Sequence, residues 1–294
     1  MIAPPAEVRR LVYLGSPYAA VPPLRALCEA GFEIPLVVSR ADTRRSRRGS
    51  AEPSAVKAAA MELGLAVTDS VDDVLTVGAD LGVVVAYGRL IRPHVLDQLA
   101  LVNVHFSLLP RWRGAAPVER ALLAGDERTG VCLMALEEAL DTGPIYRMRA
   151  TTIQPRETAA GLRERLVEIG SELLVEGLTE GLGRPTAQEG EATYADKIDP
   201  AELEIDWLAP ARLIDRLVRV GGAWTTLDGR RLKIWATSAP ESGDLGPGEL
   251  VGGRVGTGDG VLELLEVQPE GRPRRDMKAF LAGARLGPSS RLGP

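Results

Sequence analysis

Apolar residues fall into short, nearly continuous runs over the first half of this chain, and into alternating or broken patterns over its last third. Leu11–Leu14, Ile34–Val38, Leu81–Ala86 and Leu101–Val104 are runs of the first kind. Strands buried on both faces need such runs. Between them lie helical stretches: one reaching Ala30 and closed by Gly31, and one over Ser54–Leu63 that Ser54 can cap and Gly64 can end. This strand–helix–strand rhythm predicts an α/β fold with a doubly wound, largely parallel sheet. Further on, Ala115–Ala124 reads as a helix, and Val131–Leu136 and Ile145–Ile153 read as strands flanking a turn with Asp141. Thr158–Leu182 carries apolar residues at helical spacing, among them Leu162, Leu166, Ile169, Leu173 and Val175.

From Gly183 the composition turns to Gly, Pro, Glu and Thr, the mark of a linker. Beyond it come a helix over Pro210–Val220 and short β segments. Thr225–Leu227 and Leu232–Trp235 flank Asp228-Gly229, a hairpin signal with an added residue or two. Glu249–Val255 and Val261–Val267 read as further strands. Short strands with Gly-rich turns suggest a small barrel. The expected organisation is a domain over 1–184, a linker over 185–204 and a second domain over 205–294.

Charge changes this picture only locally. The net charge is −5, yet basic residues cluster at Arg44-Arg45 with Arg47-Arg48, at Arg230-Arg231 with Lys233, and at Arg272 with Arg274-Arg275. Local patches decide phosphate binding more than the total does. No run is long enough to span a membrane, and the first residues lack the layout of a signal peptide. A cytoplasmic monomer is expected. Cys28 and Cys132 have no His or Cys partner at metal-ligand spacing, and His94 and His105 are the only histidines, so no metal site is expected. Gly15-Ser16-Pro17 is not a dinucleotide fingerprint.

Candidate chemistry gathers at Leu101–Pro117. Asn103 and His105 are two positions apart, so on a strand they share a face. One offers an amide donor and the other a titratable ring. Asp141, in the later turn Leu140–Pro144, is a third polar group able to fold back toward them. As residue types alone, these are more often the marks of hydrogen-bonded loops.

The wording of the two stretches goes further. Asn103–Pro117 (NVHFSLLPRWRGAAP) and Ala139–Tyr146 (ALDTGPIY) resemble the signature of the 10-formyltetrahydrofolate-dependent formyltransferase family. The Arg111–Pro117 version is most similar to members that act on methionyl initiator tRNA. The resemblance implies a Rossmann-like formyltransferase domain followed by an OB-like β-barrel, with 10-formyltetrahydrofolate as cosubstrate and tetrahydrofolate as product. It implies Asn103, His105 and Asp141 as catalytic residues. Folate contacts would come from Ser107, Leu108, Leu109 and Pro110, and from Tyr87, Gly88, Arg89, Leu90 and Ile91. Contacts to tRNA would come from Arg47 and Arg48 in the Arg40–Pro53 loop, and from Lys197.

Asn103 suits an oxyanion donor, and His105 suits the same task or proton transfer. Asp141 either orients His105 or accepts the amine proton. No covalent intermediate is expected. Two alternatives remain: a formyltransferase for a small amine, such as glycinamide ribonucleotide or an amino-sugar nucleotide, and a non-catalytic tRNA-binding relative. The barrel pattern after residue 205 favours the tRNA substrate.

Overall fold

Strands form where the apolar runs stand. The computed structural model describes residues 2–44, 51–283 and 290–293. Seven strands form one sheet: β1 (Arg10–Gly15), β2 (Glu33–Val38), β3 (Val67–Thr68), β4 (Leu81–Val85), β5 (Leu101–His105), β6 (Arg128–Ala135) and β7 (Ile145–Thr152). Their order is β3-β2-β1-β4-β5-β6-β7. The first five in sequence are parallel, and β6 and β7 add an antiparallel edge beside β5.

Five helices follow among and after these strands along the chain: α1 (Val21–Glu29), α2 (Ala55–Glu62), α3 (Pro93–Leu96), α4 (Pro117–Ala124) and α5 (Ala159–Glu180). Ser54 caps α2 by accepting the Lys57 N–H at 3.0 Å, as its position before the helix suggested. All residues of β4 and β5 are buried, because both faces are covered. On one face Val12, Leu14, Val38, Val84 and Leu101 pack with Tyr87, Ile91 and Leu99. On the other, a glycine at 170 brings α5 against β5, where a Cβ would lie 3.1 Å from Val104 Cγ1. Arg147 and Arg149 of β7 are tied to Glu172, Glu176 and Glu180 of α5.

Two compact units divide the chain. One comprises Met1–Pro117, Arg128–Thr152 and Arg163–Asp196; the other comprises Val118–Glu127, Ile153–Leu162 and Lys197–Pro294. In the second unit the buried carboxylate of Asp215 holds Arg156, Arg219 and the Thr237 hydroxyl, which secures the early segment around Arg156.

The stretch read as a linker is held by specific bonds. Thr186 and Ile145 exchange two backbone hydrogen bonds of 2.8 Å. Tyr194–Ala195 pairs in parallel with Arg113–Gly114, and Asp199 caps a short 3-10 turn over Pro200–Leu203. Composition reports a lack of apolar residues there, not a lack of structure.

The second unit contains α6 (Ala211–Val220), β8 (Trp224–Leu227), β9 (Arg230–Thr237), β10 (Leu250–Val251), β11 (Arg254–Gly256), β12 (Val261–Pro269), β13 (Arg275–Asp276) and α7 (Met277–Gly283). Its sheet runs β8-β9-β12-β11-β10, with β13 beside β12. Leu292 bridges Leu227 of β8, and Arg291 bridges Glu249 just before β10. The final segment thereby joins the two edges of the sheet and closes the curled sheet into a barrel. Ile214, Val218, Ile234, Leu264, Val267 and Leu292 fill its core.

Two local expectations differ. The Asp228-Gly229 turn has no added residue: Leu227 faces Arg230 directly, and both turn residues have positive φ (+50° and +73°). Glu249–Val255 is not one strand but a hairpin. Gly252 and Gly253, at φ +59° and +92°, make a two-residue turn between β10 and β11.

Candidate active site

β5 runs from the buried core to the carboxyl edge of the parallel strands, where ligands of open α/β sheets gather. Strand alternation puts Asn103 and His105 on the same face as Leu101, the face that packs with Tyr87 and Ile91. Both are nearly enclosed, at 9% and 5% exposure. His105 Nδ1 lies 3.5 Å from Asp141 Oδ2. His105 Nε2 lies 2.8 Å from the Trp112 carbonyl. A carbonyl only accepts, so Nε2 carries its hydrogen there, and Nδ1, facing the carboxylate, is the nitrogen whose proton can come and go. Asp141 Oδ2 also accepts the Gly114 N–H at 2.8 Å. Among the described residues the Asn103 amide has no hydrogen-bond partner. The amide is not among the polar atoms sealed from solvent without a partner, so it stands at the open edge of the site as a donor free to take an incoming oxygen.

Asp141 reaches this place by an unobvious route. β6 is antiparallel to β5, with Cys132 opposite His105 and Ala135 opposite Val102. The β6–β7 loop therefore leaves at the far end of β5 and doubles back about 10 Å to reach His105. Gly143 permits the return: a Cβ there would sit 1.9 Å from the Ala135 carbonyl oxygen. Asp141 itself has φ +51°.

The Ser107–Pro110 turn is built inward. The Ser107 hydroxyl is fully buried and donates to the Arg111 carbonyl at 2.6 Å, so it is engaged in the turn. Leu109 packs on Cys132 and Met134, and Leu108 and Pro110 are half-buried. The Cys132 thiol donates to the Ser107 carbonyl at 3.1 Å. Burial pushes that thiol up to about 12, against a weaker opposing effect of a backbone hydrogen bond from Leu109, so it stays protonated.

Beyond β4 a cavity of ≈ 510 Å³ is lined by Ser70, Val71, Asp72, Tyr87, Arg89, Leu90 and Arg92. A cavity of this size can take a small molecule, and its lining mixes apolar and charged side chains. Of the residues implied for folate, Tyr87, Arg89 and Leu90 line it. Gly88 turns the chain at φ +72°, and Ile91 is a buried wall. Leu90 is 79% exposed, an apolar side chain without cover. Asn103, His105 and the 107–110 turn are not part of its lining.

Arg47 and Arg48 lie outside the described residues. Lys197 is exposed, and its carbonyl accepts from Arg120 at 3.5 Å. A second basic surface stands out on the barrel. Arg231 stacks 3.8 Å over Trp224, Arg274 stacks 3.3 Å over Trp235, and Lys233 lies 5.7 Å from the same Trp235 ring. Trp235 is fixed by donating to Gln268 at 3.0 Å. Among the described residues none of these three cations has a carboxylate partner. The basic clumps are visible in the sequence, but their stacking on Trp224 and Trp235 depends on strand register and carries no sequence signal. Gly143 and Cys132 were likewise missed as supports of the site. Among the described residues no cluster of His, Cys, Asp and Glu is placed to hold a metal, and no helix is long and apolar enough to cross a membrane.

Sequence profiles agree with this geometry. The profile described as formyl transferase matches residues 10–178, and that of the formyl transferase C-terminal domain matches residues 197–285. Together they define the class: a formyl transferase with both of its characteristic domains. The chain is 40% identical over 302 residues to the methionyl-tRNA formyltransferase of Ruegeria pomeroyi, covering 96% of this chain and 100% of that one. It is 41% identical over 301 residues to the methionyl-tRNA formyltransferase of Jannaschia sp., covering 96% and 99%. The chain belongs to the methionyl-tRNA formyltransferase family. In fold it is similar to an N-formyltransferase from Helicobacter canadensis solved with folinic acid and dTDP-3-aminofucose. The TM-score is 0.69 at 15% identity, over 87% of this chain and 99% of that one.

Proposed function

We propose that this chain transfers the formyl group of 10-formyltetrahydrofolate to the amino group of methionyl initiator tRNA. The observation that carries the reading is the meeting of three groups: the His105 ring 3.5 Å from the Asp141 carboxylate, and the unpartnered Asn103 amide on the same strand face. In this reading residues 1–184 hold the chemistry, residues 205–294 hold the acceptor, and residues 185–204 join them.

Moving the formyl group forms its bond to the amine nitrogen and breaks its bond to N10 of the donor. Negative charge builds on the formyl oxygen in between, and the proton the amine loses is balanced by one taken up at N10 as tetrahydrofolate leaves. Asn103 is the donor for that oxygen, a task commonly worth about 100- to 1000-fold in rate. His105 stabilises the same charge or relays the proton at Nδ1, where general acid–base help is worth about 100- to 10,000-fold. The Trp112 carbonyl fixes the ring, and Asp141 faces the exchangeable nitrogen. The near-complete enclosure of His105 keeps water from competing as acceptor. Ser107 takes no covalent part, since its hydroxyl serves the turn.

The formyl donor brings the one-carbon unit. Tyr87, Arg89 and Leu90 would hold its ring in the cavity beyond β4, with Gly88 and Ile91 shaping that exit, and the Ser107–Pro110 turn after β5 would add further contacts to the folate. Arg231, Lys233 and Arg274 supply uncommitted charge for acceptor phosphates, and Lys197, Arg47 and Arg48 would add to it. The test is direct: incubate the protein with 10-formyltetrahydrofolate and charged initiator tRNA, and assay formyl-methionine. Product with tRNA supports the reading. Product only with a small amine would assign a different acceptor, and no product with either would leave a binding protein.

A further inference from the structure

We propose that Gln188 is a positioning residue for Asp141, acting through the loop that carries it and not by touching either substrate. The inference rests on the assignment of Asp141 to the transfer chemistry. Gln188 stands in the stretch whose composition suggested a linker, yet both ends of its amide are used. Nε2 donates to the carbonyls of Asp141 and Gly143, each at 2.8 Å. Oε1 accepts from Arg113 Nε at 3.1 Å and from a terminal Arg113 nitrogen at 2.7 Å. Two donors and two acceptor sites are the full capacity of a glutamine amide.

These bonds complete a ring. Arg113 precedes Gly114, whose N–H donates to Asp141 Oδ2 at 2.8 Å, and the Asp141 carbonyl returns to Gln188. The ring ties the loop after β6 to the segment after β5 at the point where the carboxylate meets His105. Asp141 needs such restraint: a non-glycine residue at φ +51° stays there only when its surroundings hold it. Gln188 is itself anchored, because Thr186 two residues earlier exchanges backbone hydrogen bonds with Ile145 at 2.8 Å. Neither end of the amide is left to contact a ligand, so its effect must pass through Asp141.

The test compares wild type with Gln188→Ala and Gln188→Glu. The glutamate keeps the acceptor for Arg113 and loses both donors. Steady-state formylation of charged tRNA is measured alone and in an Asp141→Asn background. Amide hydrogen exchange at Gly114 reads the loop without substrate. Both Gln188 variants should lose at least 10-fold in kcat, since a displacement of about 1 Å near a reacting centre can cost about 100-fold, with KM for each substrate within 2-fold. In the Asp141→Asn background the same changes should alter kcat less than 2-fold, as expected of residues acting as a unit. Gly114 exchange should rise at least 10-fold. The proposal is overturned by near-normal kcat in either variant, by equal losses in both backgrounds, or by unchanged Gly114 exchange. Wild type that formylates no tRNA would refute the functional reading, while the exchange result would still judge the clamp.

Discussion

Gly143→Ala perturbs the site without touching any of the three groups that meet there. A Cβ at residue 143 would lie 1.9 Å from the Ala135 carbonyl oxygen, where ordinary contact begins at 3.4 Å, so about 1.5 Å must be recovered. Ala135 cannot yield it easily. It is paired with Val102 in the sheet and bonded through its N–H to the Pro144 carbonyl at 2.9 Å. The loop moves instead, and Asp141 is two residues away. Even two-thirds of that shift would break the 2.8 Å bond from Gly114 and carry the carboxylate away from His105. Misplacement by about 1 Å predicts a loss of about 100-fold in kcat.

Overpacking of this kind costs about 1–3 kcal/mol, a fall in Tm of about 2–4 °C per kcal/mol for a domain of this size. The cavity beyond β4 is lined by other residues, so the dissociation constant of the formyl donor should hold within 2-fold. Stopped-time formylation assays, donor titration calorimetry and a thermal melt measure the three quantities. A folded variant with kcat within 2-fold of wild type would refute the claim that the return of this loop positions Asp141.

Three further outcomes are expected. Burial raises the Cys132 thiol from an ordinary 9.0 to about 12, so its contribution to stability is complete below pH 9 and is lost as pH rises toward 12. The stability advantage of wild type over Cys132→Ala should therefore shrink above pH 9, by at most about 1.4 kcal/mol per pH unit; parallel urea-unfolding profiles from pH 8 to 11 would contradict this. Arg231→Ala with Arg274→Ala should lower the log–log salt slope of tRNA binding by about 1.5, with kcat unchanged; an unaltered slope in filter binding would remove the stacked arginines from the acceptor surface. Leu292→Ala, in the segment that closes the barrel, should cost about 2–4 kcal/mol; calorimetry without a lowered transition would count against that closure.

Much of the sheet was legible because burial on both faces leaves a continuous apolar run, and β4 is the clearest case; β5 is buried throughout but its run is broken by Asn103. The shared face of Asn103 and His105 followed from the two-residue strand period alone. The approach of Asp141 did not. It depends on the antiparallel register of β6, on a loop that reverses over the sheet, and on a missing Cβ at 143, and only the resemblance of the two motifs pointed to it. Gln188 was illegible for a related reason: its importance lies in a ring of bonds among residues up to 75 positions apart. In the barrel, apolar patterning over 249–255 hid a hairpin that the adjacent glycines at 252 and 253 signal directly.

The central claim is that His105, held by the Trp112 carbonyl and faced by Asp141, moves charge or a proton during formyl transfer. Single-turnover formylation of methionyl initiator tRNA by His105→Ala, with donor binding measured on the same preparation, tests it most directly. The account predicts at least a 100-fold slower step with donor affinity within 2-fold. Turnover close to wild type in the folded variant would contradict it.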